Sequence, residues 1–150
     1  MTTNISPSHI EERVQQLAQY LLLLRKMQDK SGAEFIASLG RLSMQELNIL
    51  NIIGDNDPCT MSDIAKQAAL SLSSVTIIVE KLVKSKLVKR VRSEEDRRIV
   101  RGSLTPEGKK IYQVQIEHMH RNIRKMLDTL TPEEQGSLLK IFQKFTTAWI

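Results

Sequence analysis

Basic side chains concentrate in one central stretch of the chain. Residues 61–104 carry ten lysines and arginines against five acids, whereas the rest of the chain carries 12 of each sign. The excess of the whole chain, +5 at pH 7, therefore lies in this stretch. Clustered lysine and arginine is the electrostatic footprint of a protein that binds a polyanion. Charge alone also fits a solvated basic face with no partner.

The triplet Asp96-Arg97-Arg98 is the sharpest local signal within this stretch. It lies in a polar segment between two short apolar and basic runs, which predicts the tip of a hairpin. An arginine that projects from such a tip can enter the DNA minor groove, where the negative potential is enhanced. Because a free carboxylate would repel phosphate, we expect Asp96 to pair with an arginine and to fix the turn.

A helix that starts at a serine precedes the hairpin. Ser71 can cap a helix that runs to about Lys84, with Val75, Ile78, Val79 and Leu82 on its inward face. Small hydroxyl side chains allow close approach to base edges, the side chains of Thr76 and Ile77 can contact thymine methyl groups, and lysines suit phosphates. The candidate DNA-contacting residues on this helix are Ser71, Ser73, Ser74, Thr76, Ile77, Lys81 and Lys84.

The surrounding elements complete a recognisable module. A short helix from Asp63 to about Ala68 precedes the serine-capped helix, and strands over 87–92 and 99–104 follow it. Two short helices followed by a basic hairpin describe a winged helix-turn-helix. The alternative is an ordinary helix pair with a polar outer face.

Longer helices flank this module. Apolar spacing predicts a helix over 8–30, interrupted at Ser31-Gly32, and Thr-Pro pairs open two helices after the hairpin. The first and last helices carry apolar seams that a small central lobe cannot cover, so we expect them to bury against a second subunit. The predicted dimerisation residues are Ile10, Val14, Leu17, Leu138, Phe142, Phe145 and Trp149.

Three segments together resemble the multiple-antibiotic-resistance regulator (MarR) family. They are the stretch from Leu82 to Arg90, the triplet Asp96-Arg97-Arg98, and Leu104-Thr105-Pro106-Glu107-Gly108. Within this resemblance Arg98 matches the wing arginine that enters the minor groove, and Asp96 matches its turn-fixing partner. The chain departs from the family pattern at Lys86, where many members have glycine, and at Ile77, where many have a basic residue.

The resemblance implies a mainly α-helical fold with a small β-hairpin, in which dimerisation helices flank a winged helix-turn-helix. The expected organisation is a single chain over 1–150, with a DNA-binding lobe over 43–104 and a dimerisation region over 8–40 and 105–150. The expected function is that of a sequence-specific regulator of transcription, a ligand-responsive repressor that binds an inverted-repeat operator in double-stranded DNA as a homodimer. A small-molecule effector often binds between the two regions in this family. The alternative is a winged-helix module that binds proteins and has no operator.

Other function classes have weaker support. No nucleophile triad, phosphate loop or paired-carboxylate pattern indicates an enzyme or a cofactor. His118 and His120 point about 200° apart on a helix and cannot share a metal ion without other ligands. The lone Cys59 excludes an intrachain disulfide, and it fits a small buried residue better than a redox sensor. The six aromatic residues lie outside 61–104, which disfavours stacking on single strands. We expect a cytoplasmic protein, since no signal peptide or membrane span is visible.

Overall fold

The computed structural model describes residues 7–40, 42–94, 96 and 98–149, apart from the side chains at positions 7, 8, 28, 29, 33, 36–39 and 149. The helices and the hairpin follow one another in the order that the sequence predicts, with one additional strand. They are α1 (Pro7–Leu39), α2 (Met44–Asp55), β1 (Cys59–Thr60), α3 (Met61–Ala68), α4 (Leu72–Lys84), β2 (Val88–Arg92), β3 (Val100–Leu104), α5 (Pro106–Leu127) and α6 (Pro132–Trp149). The chain divides into two compact units, residues 1–44 and 45–150.

The first unit contains one continuous helix of 33 residues, α1. The predicted interruption at Ser31-Gly32 is wrong, because an isolated glycine costs a helix only about 1 kcal/mol and does not by itself end it. The helix continues to Leu39 and ends at Gly40, where the sequence also predicts a stop, and the φ of 69° there is the left-handed conformation that closes helices and that glycine adopts without steric cost. Helix α1 begins at Pro7, one residue before the predicted start at residue 8.

Helix caps set the bounds of the elements that form the predicted winged module. The Thr60 hydroxyl accepts a hydrogen bond from the Asp63 N–H, and the Ser71 hydroxyl accepts one from the Ser74 N–H. Each satisfies an amide that the first turn of a helix leaves without a partner. Between these two helices, Ala69 takes a left-handed φ of 52° and makes the turn.

The wing contains a third strand that the sequence analysis missed. The sheet has the order β1-β3-β2 and is antiparallel throughout. Cys59 pairs with Gly102 in the two-residue strand β1, and Val88 pairs with Leu104 at the start of β2. A strand of two residues is too short to show an alternating pattern, so only the hairpin β2–β3 could be predicted.

The core of the second unit lies between α2, α3, α4 and the sheet. Gly102 lets β3 pass close to the core, since a Cβ there would lie 3.3 Å from Ile53 Cδ1. The fully buried side chains include Leu47, Ile49, Leu50, Ile53, Ile64, Val75, Val79, Leu82 and Val88. This arrangement confirms the predicted mainly helical, winged helix-turn-helix fold.

Candidate nucleic-acid interface

Helix α4 presents a polar face opposite its buried face. The buried residues are those predicted, namely Val75, Ile78, Val79 and Leu82. Counting round the helix, the side chains farthest from them are Ser73, Ile77, Glu80 and Lys84, all of which are exposed. Lys81 is also exposed, at the edge of this face. The helix therefore offers hydroxyl, apolar, anionic and cationic groups on one accessible side.

Serine hydroxyls form a network at the start of α4. Ser71 Oγ lies 3.0 Å from Ser73 Oγ and 2.8 Å from Ser74 Oγ, in addition to capping the helix. One turn later, the Thr76 hydroxyl donates to the Leu72 carbonyl at 2.8 Å. The hydroxyls of Ser71, Ser73, Ser74 and Thr76 therefore already have hydrogen-bond partners within this segment.

The wing turn is fixed by Asp96 through the backbone. The Asp96 carboxylate accepts a hydrogen bond from the Arg98 N–H at 2.9 Å, and its carbonyl accepts one from the Ile99 N–H at 2.9 Å. The Ser93 N–H donates to the Ile99 carbonyl at 3.0 Å and closes the hairpin. The sequence predicts that Asp96 pairs with an arginine, and in the structure its carboxylate pairs with the main-chain N–H of Arg98. Arg98 itself supplies the N–H of the hydrogen bond to the Asp96 carboxylate, and its side chain is exposed. Arg97 lies outside the described residues.

An ion pair connects α4 to the wing. Arg90 Nη2 of β2 lies 3.3 Å from Glu80 Oε1, with about half of each side chain exposed. The pair neutralises an acid on the face of α4 that carries Ser73 and Ile77. Sequence reasoning missed this pair, although strand alternation places Arg90 on the same side of β2 as the buried Val88.

Helix α5 is held against the winged helix-turn-helix by hydrogen bonds at its first turn and one turn later. The Thr105 hydroxyl accepts from the Gly108 N–H at 3.0 Å and donates to the Lys86 carbonyl at 2.7 Å. Gly108 is required there, because a Cβ would overlap the Leu87 carbonyl oxygen. The Tyr112 hydroxyl donates to Asp55 at 2.6 Å, and this hydrogen bond, more than burial, raises the pKa of Tyr112.

Cys59 is buried in β1. Burial, and to a smaller extent the charge of Asp63, raises the pKa of its thiol, so the thiol stays protonated at neutral pH. A protonated, buried thiol is a poor nucleophile. Within the described part of the chain, no group of three or more histidine, cysteine, aspartate or glutamate residues could hold a metal ion.

Comparison with known proteins agrees with this geometry. The sequence model described as "MarR family" matches residues 42–100, from the start of the α2 region to the first residue of β3. The uncharacterized HTH-type transcriptional regulator YpoP of Bacillus subtilis is 32% identical over 133 residues, which cover 88% of this chain and 94% of YpoP. The chain belongs to the MarR family.

Other known proteins share its sequence or its fold. The uncharacterized HTH-type transcriptional regulator YfiV of Bacillus subtilis is 38% identical over 65% of this chain, a segment that spans 61% of YfiV. A MarR family protein from Bacillus stearothermophilus has the same fold, with a TM-score of 0.81, 22% identity and coverage of 92% of this chain and 96% of that one. FabT of Streptococcus pneumoniae, solved in complex with DNA, gives a TM-score of 0.75 at 25% identity, over 89% and 95% of the two chains.

As a MarR-family member, the chain is a transcriptional regulator that binds DNA, and it is not an enzyme. The fold accommodates the departure of this member at Lys86, which takes a left-handed φ of 61° in the turn between α4 and β2. Over the described residues, no helix combines the length and the apolar character that crossing a membrane requires.

Proposed function

We propose that this MarR-family chain is a homodimeric repressor that binds an inverted-repeat operator in double-stranded DNA. The observation that carries the proposal is that helix α4 and the wing, each of a size that fits a groove of DNA, lie together in one folded unit. The exposed face of α4 lies beside a wing whose turn is held by Asp96, and the Glu80–Arg90 ion pair joins the two.

Helix α4 is proposed to lie in the major groove, which is wide enough to admit an α-helix. Small hydroxyl side chains near its start let the backbone approach base edges. Lys81 and Lys84, exposed near its end, are proposed to contact phosphates. The proposed contacts of this helix are Ser71, Ser73, Ser74, Thr76, Ile77, Lys81 and Lys84.

The wing is proposed to lie over the adjacent minor groove. Arg98 supplies the cation that enters it, and Asp96 aims Arg98 through the hydrogen bond to its backbone. Arg97 is proposed as an additional phosphate contact from its sequence position alone. Minor-groove readout mainly distinguishes A·T from G·C, so this contact supplies affinity and a preference for A·T-rich flanks.

Two helices carry apolar side chains that a second subunit can cover. In α1, Ile10, Val14 and Leu17 are each about half exposed, and in α6, Phe142 and Phe145 are as well. The Phe142 and Phe145 rings pack edge to face at 6.3 Å, while Leu138 is half-buried and the Trp149 side chain lies outside the described part. We assign 8–40 and 105–150 to dimerisation and 43–104 to DNA binding.

A two-fold dimer has two copies of α4 and therefore suits an inverted repeat with half-sites about one helical turn apart, ~10 base pairs. Where such a site overlaps a promoter, a bound dimer would exclude RNA polymerase, which is the mode of repression that we propose. Its place of action would be the cytoplasm, where the bacterial chromosome lies. A small-molecule effector that shifts α5 would move the winged unit through the contacts of Thr105 and Tyr112.

Selection of bound fragments from genomic DNA, followed by sequencing, tests this proposal. We expect the bound fragments to share an inverted repeat. We also expect the logarithm of the binding constant to fall linearly with the logarithm of the salt concentration, with a slope of ~0.9 for each phosphate contacted. Arg98→Ala is expected to bind the same fragments more weakly. Fragments without a common sequence and with a shallow salt dependence would instead favour a module that binds proteins.

A further inference from the structure

One apolar side chain stands in the middle of the outermost row of α4. The row consists of Ser73, Ile77, Glu80 and Lys84, spaced by four, three and four residues along the helix. Ile77 is 57% exposed, while its neighbours in the row are polar or charged. The row therefore has an apolar centre with a hydroxyl on one side and an ion-paired acid on the other.

Folding does not account for isoleucine at this position. The side chain is directed away from the buried face, and β-branched residues are slightly unfavourable in helices compared with alanine. Single exposed apolar residues are common on protein surfaces, so exposure alone assigns no role. What singles out Ile77 is its place at the centre of the face proposed to enter the major groove.

The neighbouring groups leave Ile77 as the apolar contact of this face. The Thr76 hydroxyl donates to the Leu72 carbonyl, and Thr76 lies beside the row and not within it. Glu80, one turn further along, is held by Arg90 at 3.3 Å, which offsets the charge of an acid that would otherwise oppose the approach of DNA. Ile77 therefore meets a base edge without competition from a polar neighbour.

Only one base offers an apolar group in the major groove. Thymine carries a C5-methyl group there. The other bases present only hydrogen-bond donors and acceptors, and contact with isoleucine would desolvate these groups without replacing their hydrogen bonds. We propose that Ile77 specifies a thymine in each operator half-site by packing against its C5-methyl group. This inference rests on the proposed function, since it requires α4 to lie in the major groove.

Removal of single methyl groups from the operator tests the inference. Each thymine of one half-site is replaced in turn by deoxyuridine, which lacks only the C5-methyl group, and binding is measured by fluorescence anisotropy at fixed salt. We expect wild-type protein to lose about fourfold in affinity at one thymine, the factor that burial of one methyl group corresponds to. Ile77→Ala is expected to bind the thymine and deoxyuridine forms of that site equally.

Leu72→Ala is the matched control, because Leu72 is a similarly exposed apolar residue (52%) on the same helix but outside the row. It should keep the fourfold discrimination at the Ile77 thymine. When cytosine replaces that thymine, wild-type protein should bind the form with 5-methylcytosine more tightly than the form with cytosine, by a similar factor. Ile77→Ala should bind the two forms equally.

Three results would overturn the inference, and they separate its failure from failure of the proposed function. If wild-type protein binds a defined operator tightly and no deoxyuridine substitution weakens it, the proposed function stands and methyl readout by Ile77 is wrong. The same conclusion follows if Ile77→Ala keeps the discrimination. If wild-type protein selects no operator, the proposed function fails and methyl readout fails with it.

Discussion

Asp96 shows how an acid can support binding to a polyanion. Its carboxylate holds the Arg98 N–H and thereby the shape of the wing turn. Asp96→Ala is expected to weaken DNA binding about fivefold, the factor for losing one hydrogen bond of ~1 kcal/mol, although the change removes a negative charge. Anisotropy titration at fixed salt measures this. Glu94→Ala, an exposed acid in the same turn, is the control and should bind unchanged or slightly more tightly. Tighter binding by Asp96→Ala would show that Asp96 only repels phosphate.

Tyr112 links the stability of the fold to pH. Its hydrogen bond to Asp55 raises its pKa above the ordinary value of 10.0, because the folded state favours the protonated phenol. The stabilisation is therefore complete below pH 10 and is lost as pH rises through the folded pKa. Tyr112→Phe should cost about 1 kcal/mol at pH 8, measured by urea unfolding, and the difference from wild type should shrink above pH 10. A difference that does not change with pH would contradict this role.

Individual side chains were predictable from the sequence only where local chemistry determines their role. The caps at Ser71 and Thr105 follow from residue type and position, and both occur as predicted. The Glu80–Arg90 pair and the Tyr112–Asp55 hydrogen bond join residues 10 and 57 positions apart. Such contacts depend on how the elements pack against each other, which periodicity does not reveal.

At the scale of elements, the turn between α4 and β2 stores backbone strain. Lys86 has a φ of 61°, where a Cβ is unfavourable and glycine is not. Lys86→Gly is expected to raise the free energy of unfolding by about 0.5–1 kcal/mol, after allowing for the greater freedom of glycine in the unfolded chain. Ser85→Gly, at the preceding residue with a φ of −78°, is the control and should lower it. Urea unfolding compares the two, and equal effects would argue against strain at Lys86.

Element order was predictable because each helix begins with a local signal and shows a regular apolar period. Thr105 before Pro106 and Thr131 before Pro132 mark α5 and α6, which begin where those pairs predict. Where the prediction was wrong, the determining signal was weak or lay elsewhere. Ser31-Gly32 is tolerated inside α1, and the stop signal is the left-handed Gly40.

At the scale of the whole molecule, the account requires a dimer. Phe142 is 57% exposed on α6, and a charge placed there would be buried at the proposed interface. Phe142→Asp is expected to shift the protein from dimer to monomer at micromolar concentration, as measured by sedimentation or light scattering. Lys144→Asp introduces the same acid at an exposed position of the same helix outside the Leu138–Phe142–Phe145 stripe, and should remain dimeric. A wild-type protein that is monomeric at these concentrations would contradict the proposed assembly.

The most direct test of DNA reading by α4 and the wing is selection from a randomised duplex library by three proteins in parallel. Wild type should enrich an inverted repeat. Arg98→Ala should enrich the same core with lower affinity and less A·T preference in the flanks, because it loses only a minor-groove contact. Thr76→Ala should change the preferred base at one position in each half-site, at a cost of about 1–3 kcal/mol. The account would be contradicted if Arg98→Ala enriched a different core sequence from wild type while Thr76→Ala enriched the same one.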